Sequence, residues 1–242
     1  MTSTRAIQVQ VVNDADTMAD RLADWLIELA YTKGDPFSLC LSGGSTPKTL
    51  YDRLAEPRFR DRFPWASTHL FFGDERFVPP NDRLSNYRMV REALLDRAPI
   101  PEANIHPVPT EGLDPERSAA AYEQVLKDFH GSDRLDPGRP LFDVTLLGLG
   151  EDGHTASLFP GTEVLEERTR WVAAVIGAKA EPRITLTYPA LESSRHTVFL
   201  VTGAGKRDML QRLTAGDQTL PAARINPIGS LVVFCDSAAA GM

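Results

Sequence analysis

The sequence predicts an α/β fold: an open, mostly parallel sheet with helices on both faces, formed by residues 1–242 as a single domain. Three observations predict it. Short β-branched or apolar runs alternate with longer helical patterns, the sequence sign of parallel strands joined by helical crossovers. A chain of 242 residues can bury a substantial core and still be one α/β domain. Apolar residues at 42% and charged residues at 24% are ordinary for a globular protein and argue against disorder or a fibrous repeat.

In chain order, Ala6 to Val12 is the first strand candidate. Ala15 to Tyr31 follows as a helix, because Met18, Leu22, Trp25, Leu26 and Leu29 recur at spacings of three and four and make one face apolar. Phe37 to Leu41 is a strand, and Pro47 to Leu54 a helix, since proline is pre-set for the first helical turn and has no N–H to leave unpaired there. His69 to Phe72 is a strand, Asn86 to Leu95 and Pro115 to Phe129 are helices, and Phe142 to Leu147 is a strand. Trp171 to Val175, Arg183 to Thr187, Thr197 to Val201 and Leu231 to Phe234 complete the strands. Val78 to Leu84 and Gly131 to Pro140, rich in proline, glycine and charge, read as loops within the one domain rather than linkers.

The charge balance of 33 acidic against 26 basic side chains, −7 in all, offers no basic field for a nucleic-acid backbone. It does not exclude an anionic substrate, which a local cluster of Arg, Lys and N–H groups can hold against a screened surface charge. Cys40 and Cys235, the only two cysteines, each lie in or beside an apolar run and are expected to be buried free thiols. No stretch approaches a membrane span, and the N-terminal residues have no apolar segment before a cleavage site, so a cytoplasmic protein is expected.

In an open parallel sheet the ligand lies beyond the carboxyl ends of the strands. The segment after the second strand, L-S-G-G-S-T-P-K, has two glycines for a tight turn and a helix to follow. Ser42, Gly43, Gly44, Ser45 and Thr46 can therefore present N–H and hydroxyl donors to a phosphate. It is not a Walker A loop, because the Gly-Lys-Ser/Thr ending is missing. After the third strand, G-D-E-R presents Asp74, Glu75 and Arg76. Asp74 is expected to point inward, and Arg76 to hold an anionic or carbonyl oxygen.

After Phe142 to Leu147 comes G-L-G-E-D-G-H-T-A-S-L-F-P, which sets Asp152 and His154 one glycine apart. Histidine can take a proton from water near neutral pH and return it, and a neighbouring carboxylate fixes its tautomer, as hydrolysis requires. The glycine spacing does not match a dinucleotide site. Arg183 and Lys206 adjoin sheet elements and would supply a bidentate and a point charge to a phosphate.

Taken in order from Leu41 to Lys206, L-S-G-G-S-T-P, G-D-E-R, N-D-R-L-S-N-Y, G-L-G-E-D-G-H-T-A-S-L-F-P, R-I-T-L-T and G-A-G-K closely resemble the 6-phosphogluconolactonase family of the cytosolic α/β type. The resemblance implies a Rossmann-like sheet shared with glucosamine-6-phosphate deaminase and sugar-phosphate isomerases. It also implies hydrolysis of 6-phospho-D-glucono-1,5-lactone to 6-phosphogluconate in the oxidative pentose phosphate pathway. Under it, Ser42 to Thr46, Arg183 and Lys206 hold the phosphate, His154 activates water with Asp152 in support, Arg76 sits near the lactone end, Asp74 faces the substrate, and Ser85, Asn86 and Tyr87 are structural. No metal or organic cofactor is expected, and the only partner expected is the phosphorylated lactone, for a monomer or weak homo-oligomer. The deaminase pattern continues H-x-A-F-N-E-P, with a glutamate that assists ring opening; five residues beyond His154 this chain has Phe159.

Overall fold

The computed structural model describes residues 7–242. Ala6 of the first strand candidate, and the rest of the N-terminal segment Met1 to Ala6, lie outside the described residues. The strand itself is β1 (Gln8–Val12), followed by α1 (Ala15–Lys33). Helix α1 opens on Asp14, whose carboxylate accepts the Thr17 N–H at 2.7 Å, and it stops at Gly34. Next come β2 (Phe37–Leu41), α2 (Ser45–Leu54) and a single turn, α3 (Pro57–Arg60). Then β3 (Thr68–Phe72) leads through Gly73 into β4 (Asp74–Arg76).

Helix α4 (Asn86–Val90) does not continue regularly to Leu95; it passes into a π-helical turn over Arg91–Leu95. The two-residue β5 (Ile105–His106) precedes α5 (Pro115–His130), which has Asp114 as its cap, Pro115 in its first turn and Gly131 in the left-handed region at its end. The rest comprises β6 (Phe142–Gly148), β7 (Val172–Val175), β8 (Arg183–Leu186), α6 (Tyr188–Glu192), β9 (Ser194–Val201), α7 (Arg207–Thr214), β10 (Ser230–Asp236) and α8 (Ser237–Ala240).

Seven strands form one sheet in the order β1-β10-β9-β6-β2-β3-β5, every neighbouring pair parallel. All five residues of β2 and six of the seven in β6 are buried, as strands covered on both faces must be. Cys40 and Cys235 are free and buried, on β2 and β10.

Two of the expected strands do not join this sheet. Trp171 to Val175 and Arg183 to Thr187 contain β7 and β8, which pair antiparallel with each other, and β8 pairs antiparallel with β4. The segment G-D-E-R, not among the expected strands, thus supplies the edge strand of a small second sheet. The physical reason is the connection: seven residues join β7 to β8, long enough for a hairpin but too short for the helical crossover that parallel neighbours need. The two sheets share one hydrophobic core, with Ile184 and Leu186 in the same cluster as Leu39 and Val144.

Candidate active site

From β2 the chain adds β3 and β5 on one side, then returns to β6 on the other side and adds β9 and β10 outward. The order therefore reverses between β2 and β6, and these two strands are joined only at Leu39↔Val144 and Cys40↔Thr145 before they part. A crevice at such a reversal, beyond the carboxyl ends of the strands, is where doubly wound sheets bind ligands. Here it is a cleft of about 710 Å³. Every residue expected to bind or react lines it: Ser42, Gly43, Gly44, Ser45, Thr46, Asp74, Arg76, Asp152, His154, Arg183 and Lys206.

The β2–α2 turn forms one wall. Helix α2 begins at Ser45, two residues before the expected Pro47, with Gly44 at φ 106° as its cap and no side chain capping its first turn. The leading N–H groups are left for an anion. Gly43 has no room for a side chain, because a Cβ there would stand 2.2 Å from Asn86 Oδ1. Thr46 Oγ1 meets Thr202 Oγ1 at 2.6 Å, tying this turn to the end of β9, and Lys206 follows on the short turn Ala204–Lys206.

The opposite wall is the small sheet. Along β4 side chains alternate, so the charges of G-D-E-R separate. Asp74 is buried in the cleft wall, where Oδ2 accepts the Ser157 hydroxyl at 2.7 Å and the Asn86 amide donates to the Asp74 carbonyl at 3.0 Å. Glu75 serves the fold instead: it accepts the N–H groups of Asn86 at 2.6 Å and Tyr87 at 2.7 Å and the Ser85 hydroxyl at 3.1 Å, fixing the start of α4. Burial raises the Glu75 pKa, and the N–H groups only partly counter it. Arg76 donates to the Leu84 carbonyl at 2.6 Å and stands directly opposite Arg183 in the β4–β8 ladder. Arg76 and Arg183 are therefore neighbours on facing strands. Burial, then the charge of Arg76, lowers the Arg183 pKa.

The glycine-rich turn after β6 carries the imidazole. Asp152 Oδ1 contacts His154 Nδ1 and accepts the His154 backbone N–H at 3.1 Å. A carboxylate on Nδ1 fixes the tautomer with its proton there and leaves the Nε2 lone pair available. The His154 side chain is 29% exposed, so it is not walled off from the cleft. Its ring rests against Phe159, centroids 4.7 Å apart. Burial raises the Asp152 pKa, but the two hydrogen bonds and the further electrostatic attraction from His154, with the charge of Lys179, outweigh this, and the net shift is downward.

Three residues at the cleft were not expected to act there. Lys179 Nζ lies 3.9 Å from Asp152 Oδ2 and 4.8 Å from the Phe159 ring centroid. Ser157 and Asn86 both hold Asp74, and Asn86, taken from the sequence as structural, lines the cleft as well. Asn86 and Ser157 each already lay in a quoted motif, whereas nothing local marked Lys179. Among the described residues no group of three or more His, Cys, Asp or Glu could hold a metal ion, and no helix is long and apolar enough to cross a membrane.

A family model for glucosamine-6-phosphate isomerases/6-phosphogluconolactonase matches residues 13–233. The chain is similar to a 6-phosphogluconolactonase of Nostoc sp., 43% identical over 239 residues that cover 96% of each chain. It is similar also to one of Synechocystis sp., 45% identical over 84% of this chain and 82% of the relative. The crystal structure of 6-phosphogluconolactonase from Thermotoga maritima superposes with a TM-score of 0.81 at 31% identity, covering 95% of this chain and 99% of that one. With motifs, topology and cleft in agreement, this chain belongs to the glucosamine-6-phosphate isomerase/6-phosphogluconolactonase family.

Proposed function

We propose that this protein hydrolyses 6-phospho-D-glucono-1,5-lactone to 6-phospho-D-gluconate, the lactone-opening step of the oxidative pentose phosphate pathway. One observation carries the reading: the anion-binding turn at the end of β2 and the Asp152-supported imidazole at the end of β6 face a single cleft. The names of the relatives support it. The uncapped start of α2 and Lys206 anchor the phosphate, joined by Arg183 with Arg76 beside it. Like charges on facing residues of a ladder repel, and an anion held near both relieves that repulsion. Neutral His154 takes a proton from water at Nε2 as the water oxygen bonds to the lactone carbonyl carbon, giving a tetrahedral oxyanion. When this collapses, the bond to the ring oxygen breaks, the imidazolium protonates that oxygen as the new hydroxyl, and the acid product loses its proton to solvent.

The position where the deaminase pattern carries its glutamate is Phe159, packed on the imidazole, which supports hydrolysis over amino-sugar isomerisation. The test is acid release from freshly generated 6-phosphogluconolactone with and without the protein. His154→Ala is expected to lower kcat about 10² to 10⁴-fold while KM changes little. Parent-like turnover would remove His154 from the reaction, and ammonia released from glucosamine 6-phosphate would favour the deaminase.

A further inference from the structure

Two buried tyrosines stand where the sheet lacks strands. The Leu41 carbonyl accepts the Gly73 N–H on the β3 side at 2.8 Å, so by alternation the backbone of Ser42 faces the β6 side, where β2 and β6 have already parted. No strand residue meets it there. The Tyr51 hydroxyl does: it accepts the Ser42 N–H at 2.9 Å and donates to the Ser42 carbonyl at 2.8 Å. The same device recurs one strand away. Beyond Phe71↔His106 the short β5 ends, and the Tyr122 hydroxyl accepts the Phe72 N–H at 2.7 Å and donates to the Phe72 carbonyl at 3.0 Å. Tyr51 and Tyr122 are 0% and 1% exposed, so water cannot replace either hydroxyl without disturbing the core. Burial first of all raises both phenol pKa values far above the ordinary range, which keeps each proton in place as a donor.

We propose that Tyr51 and Tyr122 are positioning residues for the reaction, each substituting one hydroxyl for the peptide group of a missing strand. The substitution keeps a strand end ordered while leaving open the space a further stretch of strand would fill. Tyr51 fixes the residue from which the Gly43–Thr46 turn springs, hence the phosphate end. Tyr122 fixes Phe72, two residues before Asp74, hence the Asp74 carboxylate, whereas Arg76 beyond it is held separately by the Leu84 carbonyl and the β8 ladder. Their substitution therefore has separable consequences although the same pair of bonds is lost in each.

The proposal rests on the lactonase reading, which turnover by the parent chain tests separately. With 6-phosphogluconate as the binding probe, Tyr51→Phe is expected to raise its Kd, and the KM of the lactone, about tenfold, with kcat within about twofold of the parent. Tyr122→Phe is expected to lower kcat about tenfold with Kd within about twofold. A purely structural role would lower the melting temperature of both and leave kcat, KM and Kd at parental values well below it. That outcome, or one and the same parameter shifting in both variants, overturns the proposal. Should either variant not fold, hydrogen exchange on the parent decides: the Ser42 and Phe72 amides are expected to exchange as slowly as those of paired strand residues, and fast exchange at either overturns the assignment. A parent chain with no lactonase rate sinks the reading, whereas an active parent whose variants lack the crossed pattern sinks only this inference.

Discussion

A Cβ on Gly150 would stand 2.0 Å from Nδ1 of His154, well inside contact distance, and the nearby Gly150 N–H donates to the His154 carbonyl at 2.8 Å. The turn therefore cannot withdraw from the ring without losing its own closure. Gly150→Ala is expected to turn the imidazole away from Asp152 and lower kcat on the order of 10²-fold, because misplacing a reacting group by about an ångström carries a loss of that size. Steady-state kinetics beside a melting curve separates this from unfolding; a folded variant with parental kcat would show that the imidazole position does not matter. Asp152→Asn tests the same geometry through charge. An amide can donate to Nδ1 and stabilise the tautomer whose Nε2 carries the proton, so kcat is expected to fall at least 10²-fold with KM nearly unchanged.

The β4–β8 ladder puts its chemistry and its stability in opposition. Arg76 and Arg183 are direct cross-strand partners, and like charges so placed destabilise a sheet by a few tenths to about 1 kcal/mol. Arg183→Met keeps the apolar stem and removes one charge. It is expected to leave the ligand-free protein as stable as the parent or slightly more so, while raising KM at least about tenfold and reducing the stabilisation conferred by 6-phosphogluconate. Thermal unfolding with and without that product checks both; a less stable variant with parental KM would contradict the assignment. This element also marks the limit of what the sequence discloses. β2 and β6 were legible because burial on both faces makes them continuous apolar runs. The Ser42 to Thr46 turn and the turn with Asp152 and His154 were legible because they follow strand ends. β4 was not, because its three charges look like solvated loop until Ser157, Asn86 and the start of α4 answer them from more than ten residues away. Nor did composition disclose which sheet β7 and β8 join, and without their hairpin nothing brings Lys179 to Asp152.

For the whole molecule the first part of the acid response, as the pH falls through 6.5, follows from histidines outside the cleft, ahead of carboxylates such as Asp217, whose pKa hydrogen bonds hold down to about 2. His69, His106, His130 and His196 all have pKa values below the ordinary 6.5, burial being the leading cause for each, and His106 is brought down to about 4. A base with a depressed native pKa binds its proton first in the unfolded chain. Its contribution to stability is therefore complete above pH 6.5 and is lost as the pH falls from 6.5 toward the native value. Glu75 and Glu192 run the other way, since burial raises their native pKa values and their protonation on acidification relieves a cost. They offset part of the loss.

His106 bears the largest share of that loss. Its Nε2 meets His69 Nδ1 at 3.0 Å, and its ring stacks on Phe71 with centroids 4.4 Å apart, an arrangement in which at least one imidazole must stay neutral to accept the bond. After allowance for partial exposure, its protonation is expected to remove on the order of 2 kcal/mol between pH 6.5 and 4. His106→Phe keeps the stacking and abolishes the titration. Denaturant midpoints measured from pH 7.5 to 4.5 should then fall less steeply than in the parent, from a starting stability about 1 kcal/mol lower for the lost bond to His69. If the variant keeps the parental slope, the acid sensitivity lies elsewhere than in this imidazole pair. A parent whose midpoint rises toward pH 4.5 would mean that the buried glutamates outweigh the histidines.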